Sequence, residues 1–154
     1  MLFGLKKRVI GVTGALAALA GVGVFTFTYA KGVSYVSNDP KACMNCHVMR
    51  EHYSSWVKSS HHKAAACNDC HTPHTFPHKW IAKARNGWNH SRAFTAQDYP
   101  DPIRITEPNL EALQANCLHC HETMTADITA HRGFAAGTAR CTDCHRSVGH
   151  MNLD

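Results

Sequence analysis

The sequence predicts a mainly α-helical protein with much irregular structure, in which one N-terminal transmembrane helix precedes a small outer domain of two similar modules. Three observations predict it. Residues 9–30 form a single uncharged, largely apolar run. All eight cysteines fall into four Cys-x-x-Cys pairs, and a histidine follows each pair. The pairs begin at residues 43, 67, 117 and 141, so a 24-residue spacing recurs across an offset of 74.

The apolar run, Val9 to Ala30, is 22 residues long. As a helix it would extend roughly 33 Å, enough for a hydrocarbon layer of about 30 Å. Lys6, Lys7 and Arg8 precede it and Lys31 closes it. The positive-inside rule then places Met1 in the cytoplasm and everything after Lys31 outside. Phe25, Phe27 and Tyr29 suit an interfacial anchor at the far end. The competing reading is a cleaved secretory signal. Thr28-Tyr29-Ala30 matches a cleavage site only loosely, and the run exceeds the usual apolar core of about 7–15 residues. Gly14, Ala18 and Gly21 share one face and would admit a second helix, although small residues are common in membrane helices anyway.

The span also accounts for most of the charge. Lys and Arg total 16 against 11 Asp and Glu, a net +5. Three of the basic residues precede the span, which leaves 13 against 11 from Lys31 onward. No basic stripe with interleaved aromatics appears, so no nucleic-acid partner is expected. A hydrophobic fraction of 44% with 18% charged residues excludes long disorder.

The cysteine units are Cys43-Met-Asn-Cys46-His47, Cys67-Asn-Asp-Cys70-His71, Cys117-Leu-His-Cys120-His121 and Cys141-Thr-Asp-Cys144-His145. Cys-x-x-Cys-His is the attachment signature of c-type haem. Two thiols add to the two vinyl groups of one porphyrin, and the next residue brings its imidazole under the iron. A zinc site, a disulfide framework and a thioredoxin-like pair all use Cys-x-x-Cys, but none requires the histidine. At a frequency of 13 His in 154 residues, four such histidines would follow by chance about 5 times in 100,000. The expectation is therefore four covalently bound haems and no free thiol.

The repeat groups the units into di-haem modules at about 43–76 and 117–150, joined by a connector at 77–116, all beyond an anchor at 1–31 and within an outer domain at 32–154. Each module is too short to bury a protein core by itself, so the haems would form the core. Nine further histidines could supply distal ligands. His62 lies five residues before Cys67 and His150 five after His145, which makes both candidates, with solvated surface histidines as the alternative. Met49, two residues after His47, competes with it for the first iron or is an ordinary core Met.

Pro77 to Phe94 predicts the longest helix outside the membrane, through Trp80, Ile81, Ala84 and Trp88. With Lys79, Lys83, Arg85 and Arg92 it reads either as a membrane-surface helix or as an amphipathic helix packed on haems. Lys83, Gly87 and His90 share one face. A flat ring could approach at Gly87, with Lys83 to hydrogen-bond a quinone carbonyl and His90 to accept a proton. Against this quinol-site reading stand a lipid-facing Lys and a ligating or surface His. Pro100, Pro102 and Pro108 predict an extended loop, after which a short helix leads into Cys117. Met49 to Ser60 predicts another short helix.

One anchor followed by four haem units, the Cys-x-x-Cys-His-x-Met at 43–49, CNDCHTPH at 67–74 and CTDCHRSVGHM at 141–151 resemble the NapC/NirT/NrfH family of membrane-anchored quinol dehydrogenases. Within it they most resemble the small subunits of cytochrome c nitrite reductases. The resemblance implies that Met49 rather than His47 ligates the first haem, and that His71, His121 and His145 ligate the others. It implies His62 as distal ligand to the fourth haem and His150 to the third. The second haem, on His71, would take a lysine from a catalytic partner. Lys83 would be the quinol-site lysine. His90 stands where relatives carry an aspartate, so it either accepts protons or ligates the first iron. The implied activity is oxidation of menaquinol at the outer face of the cytoplasmic membrane, with electrons passed to a periplasmic multihaem reductase. Ammonia-forming nitrite reductase is the expected partner, and a nitrate or other reductase the alternative. The subunit by itself is not expected to reduce nitrite.

Overall fold

The computed structural model of the chain describes residues 2–129 and 139–151. His131, for which spacing gives no role, lies outside them. The described residues are helical or irregular, with no strand among them. Helix α1 runs Leu2–Tyr29. Its segment Gly4–Tyr29 has a mean hydropathy of 2.0 and is long and apolar enough to cross a membrane. Its side chains from Gly4 on are exposed, as they would be when facing lipid. The helix ends where Lys31 adopts a left-handed conformation (φ 52°) and Gly32 passes the Phe27 ring closely enough to leave no room for a Cβ.

A 3-10 turn, Gly32–Tyr35, follows and packs on α1, on α2 (Pro40–Cys43) and on α5 (His78–Ala96). It thereby joins α1 to α2 and α5. Asp39 caps α2 by accepting from Lys41 N at 2.9 Å, and Pro40 fills its first position. A second 3-10 turn, His47–Met49, leads into α3 (Arg50–Val57). Helix α4 is Cys67–His71. Helix α5 starts one residue after Pro77 and stops at a left-handed Gln97, whose N–H returns to Phe94 O. The proline-rich stretch to Thr106 is irregular, as expected. Helix α6, Glu107–Cys120, is longer than the predicted short helix, because it continues through the third Cys-x-x-Cys pair. Helices α7 (Glu122–Thr129) and α8 (Cys141–Cys144) complete the described elements.

Helix α4 packs on α6, and α6 on α7 and α8. Asn116 bolts the first of these contacts, donating to Cys70 O and Thr72 O, each at 2.9 Å. Arg140 pairs with Glu107, holding α8 to the start of α6. Among the described residues only Ala82, Thr72, Lys83 and Asn116 are buried, and three of these are polar. A soluble domain of this length ordinarily buries well over half of its surface around apolar side chains. Here the described helices bury few side chains between them.

Candidate functional site

The second, third and fourth Cys-x-x-Cys pairs sit on helical turns, whereas the first leaves its helix after Cys43 and is extended at Cys46. Cys43 closes α2, Cys67 to His71 are α4, Cys117 and Cys120 end α6, and Cys141 to Cys144 are α8. Positions i, i+3 and i+4 of a helix share one face. A turn therefore presents both thiols and the following imidazole to the same side, as one flat macrocycle requires. The recurring Asp in the second and fourth units has a local cause. Asp69 Oδ2 accepts from Ala66 N at 2.9 Å, and Asp143 Oδ2 accepts from Arg140 N at 2.7 Å, so each closes the N-terminus of its own short helix.

The thiols place the units in a line. Cys43 and Cys67 share a hydrogen bond. Cys70 lies within electrostatic reach of Cys117 and Cys120, and Cys117 shares a hydrogen bond with Cys141. The order in space is first, second, third, fourth. The Cys43 thiol is drawn down to about 7 by its bond to Cys67, against burial, with help from Lys83. Burial, ahead of its thiol neighbours, pushes Cys117 up to about 11. No disulfide joins any of the eight cysteines. Among the described residues no three His, Cys, Asp or Glu side chains converge on one metal-ion site, as a zinc reading would need.

The histidines test whether these residues fit haem. Two imidazoles bound to opposite sides of one metal, with bonds of about 2.0–2.1 Å as for zinc, have ring centres roughly 6 Å apart. His71 and His150 lie 6.0 Å apart with planes 11° from parallel, and His61 and His121 also lie 6.0 Å apart. His61 Nδ1 is 3.1 Å from Val148 O, so Nδ1 carries the proton and Nε2 is left with its lone pair. A backbone carbonyl on the far nitrogen is the usual support of a ligating histidine. Burial, then His150 and His52, push His71 down to about 4, which keeps it neutral and able to ligate. His52 holds both ring nitrogens buried without a partner, 4.9 Å from the His150 ring. With the four Cys-x-x-Cys pairs beside them, these residues fit covalently bound haem.

The placement of the predicted distal ligands is specific. His150 sits against His71 of the second unit and against His52. His62 packs edge-on against Trp56 at 4.7 Å and is exposed. Among the described residues no ring contact joins it to His145 of the fourth unit, which is itself exposed. It is the adjacent His61, which spacing did not single out, that meets His121. His47 is exposed and Met49 half-buried on the same 3-10 turn.

Lys83 is buried beside the first unit. Its Nζ donates to Val36 O at 3.2 Å, Ser37 O at 2.8 Å and Asn38 Oδ1 at 2.9 Å. Those bonds occupy all three protons of the ammonium. Asn68, inside the second unit, donates to the same Ser37 O and Asn38 Oδ1 at 3.2 and 3.4 Å. Lys83 and Asn68 thus clamp one loop between the span and the first two units. Burial and Lys79 lower the lysine, and the Cys43 thiol opposes them. His90 lies farther along the same helix and is lowered by burial.

The flat ring that lies over Gly87 belongs to the chain itself. A Cβ on Gly87 would stand 3.3 Å from Tyr35 Cδ1. Tyr35 is half-buried, shares a hydrogen bond with the Ser91 side chain, and sits 6.1 Å from the His90 ring, close enough to Cys43 and Cys46 for their charges to reach its hydroxyl. Sequence reading passed over Tyr35, because its only signal was position, four residues beyond Lys31.

Comparison with known proteins agrees with this arrangement. The chain matches the NapC/NirT cytochrome c family, N-terminal region, over residues 5–154. It is 40% identical to the cytochrome c-type protein NrfH of Wolinella succinogenes over 143 residues, covering 87% of this chain and 81% of that protein. It is 32% identical to the cytochrome c nitrite reductase subunit NrfH of Nitratidesulfovibrio vulgaris over 153 residues, covering 97% and 86%. Its fold superposes with a TM-score of 0.64 on a chain from the crystal structure of the cytochrome c nitrite reductase NrfHA complex bound to the HQNO inhibitor. That match has 28% identity and covers 90% of this chain and 92% of the other. An apolar span, four Cys-x-x-Cys-His units, three of them on helical turns, and a family match over residues 5–154 lead to one assignment: the chain belongs to the NapC/NirT cytochrome c family.

Proposed function

We propose that this chain is a membrane-anchored tetrahaem cytochrome that oxidises menaquinol and passes the electrons to a soluble multihaem nitrite reductase. The observation that carries the reading is the line of units. It begins at the end of the span, where Tyr35, Lys83 and His90 gather beside Cys43, and it runs away through α4 and α6 to α8. The relatives' own names, a nitrite reductase subunit and a member of the NrfHA complex, supply the terminal reductase. Haem, held by the eight cysteines, supplies one-electron redox chemistry. The chain supplies position: α1 anchors the outer domain with Met1 in the cytoplasm, and Met49 or His47, with His71, His121 and His145, hold the irons.

In this scheme Lys83 releases its longest bond, to Val36 O, and donates that proton to a quinol oxygen. His90 accepts a proton from the quinol. Its value lies below the ordinary 6.5, so it is neutral at pH 7 and becomes charged only as the pH falls through that lowered value. Menaquinol oxidation is therefore expected to be flat around neutrality and to decline on acidification, and His90→Asn should remove the decline along with much of the rate. A His90→Asn chain that kept the acid limb would assign it to another group.

Two groups compete for the far side of the iron on His71: the partner lysine implied by the resemblance, and His150 at 6.0 Å. Low-temperature spectra of the chain with and without its partner separate them, because replacement of imidazole by amine shifts the low-spin signal. The reductase is identified by what co-purifies from native membranes. A multihaem nitrite reductase is the expected companion, and a nitrate reductase there would transfer the reading to the general quinol dehydrogenases.

A further inference from the structure

Tyr35 occupies the place between Lys83 and His90 that the glycine leaves open. Its ring lies against Gly87, with a built Cβ 3.3–3.6 Å from three ring carbons. Its hydroxyl lies within reach of the Ser91 side chain, one turn beyond Gly87. The 3-10 turn that carries it packs on both α1 and α5, so the ring stands at the exit of the span beside the first cysteine pair. Lys83 is on the buried side of the same face, with every donor in use. A head group arriving from the membrane cannot lie on Gly87, because Tyr35 covers it. It must lie beside the phenol.

We propose that Tyr35 is a further quinol-binding residue, whose hydroxyl hydrogen-bonds one oxygen of the naphthoquinol head group while Ser91 and Gly87 fix the ring. The proposal rests on the quinol-oxidation reading above. A tyrosine hydroxyl both donates and accepts, so it can hold the quinol O–H and, after oxidation, the quinone carbonyl, and keep its own proton throughout. The balance is carried elsewhere. Oxidation breaks the two O–H bonds of menaquinol and yields the quinone, two protons and two electrons. A haem held at Cys43 and Cys46 would take the electrons one at a time, and the protons leave through His90 to water.

Tyr35→Phe removes the hydroxyl and keeps the ring on Gly87. The full-length, haem-loaded chain in lipid vesicles is titrated with HQNO, and KM is measured with 2,3-dimethyl-1,4-naphthoquinol. The expected result is weaker HQNO binding and a KM raised about tenfold, the worth of one ordinary hydrogen bond, with haem content and the dithionite-reduced spectrum unchanged. Unchanged HQNO affinity and KM would overturn the assignment of Tyr35. If Tyr35→Phe fails to load haem, Ser91→Ala carries the test: a KM raised about threefold supports the proposal, and an unchanged KM overturns it. A native chain that neither binds HQNO nor takes electrons from the naphthoquinol would instead overturn the quinol reading itself.

Discussion

A Lys83→Leu chain is expected to oxidise menaquinol roughly ten- to hundredfold more slowly than the native chain, with all haems attached and reducible by dithionite. The magnitude follows from one hydrogen bond between a charged group and the quinol oxygen, worth about 1.5–3 kcal/mol, at about 1.4 kcal/mol for each factor of ten in rate. The substitution has a second consequence. Val36 O, Ser37 O and Asn38 Oδ1 lose their shared donor, and only Asn68 remains to hold the loop. A loss of about 1–3 kcal/mol in stability is expected from the orphaned acceptors. Steady-state quinol oxidation, read beside a thermal melt, separates the two effects. Lys83→Arg should restore much of the stability but less of the rate, because its planar fork cannot reproduce the compact ammonium in a buried site. Full activity in Lys83→Leu would remove the lysine from the quinol site and leave it a loop clamp.

Removal of the second unit by Cys67→Ser with Cys70→Ser is expected to have the larger effect on the complete pathway. Intact mass should fall by one haem. Menaquinol should still reduce the first haem, but electron delivery to nitrite reductase should drop to the background rate. The reason is the order of the units. Cys43 of the first unit neighbours Cys67 of the second, and the second reaches α6 through Cys70. Helix α4 is also the element that packs most closely on α6, so the missing haem takes part of the centre of the domain with it. Stopped-flow reduction from the quinol side, followed by nitrite-dependent reoxidation, tests both halves. Undiminished turnover would mean that electrons enter or leave the chain by another route.

The features legible in the sequence are local ones. An uncharged run with basic residues on one side becomes α1 because a lipid-facing helix needs no partner. The Trp80–Ile81–Ala84–Trp88 spacing becomes α5 within two residues of the expected ends, because helical periodicity is a property of the segment itself. The Cys-x-Asp-Cys-His repeat is equally local, since each Asp caps its own turn. The features not legible depend on segments brought together from far along the chain. Nothing in the spacing tells that Tyr35 covers Gly87, fifty-two positions later. Spacing to Cys67 points to His62, and only the fold brings Val148 O to within 3.1 Å of His61 Nδ1. His150 was read by its nearness to His145 in sequence, whereas packing sets it beside His71. The role of Asn116 as a bolt between α6 and α4 exists only once both are placed.

The central claim is that one chain carries electrons from the quinol pool through four haems to a reductase. Its most direct test follows the haem absorbance of the full-length chain in vesicles containing menaquinol, before and after addition of nitrite reductase and nitrite. Four haems per chain should reduce on menaquinol alone and reoxidise only when both additions are present. Haems that reduce with dithionite but stay oxidised with menaquinol, or a chain that holds no covalent haem, would contradict the account.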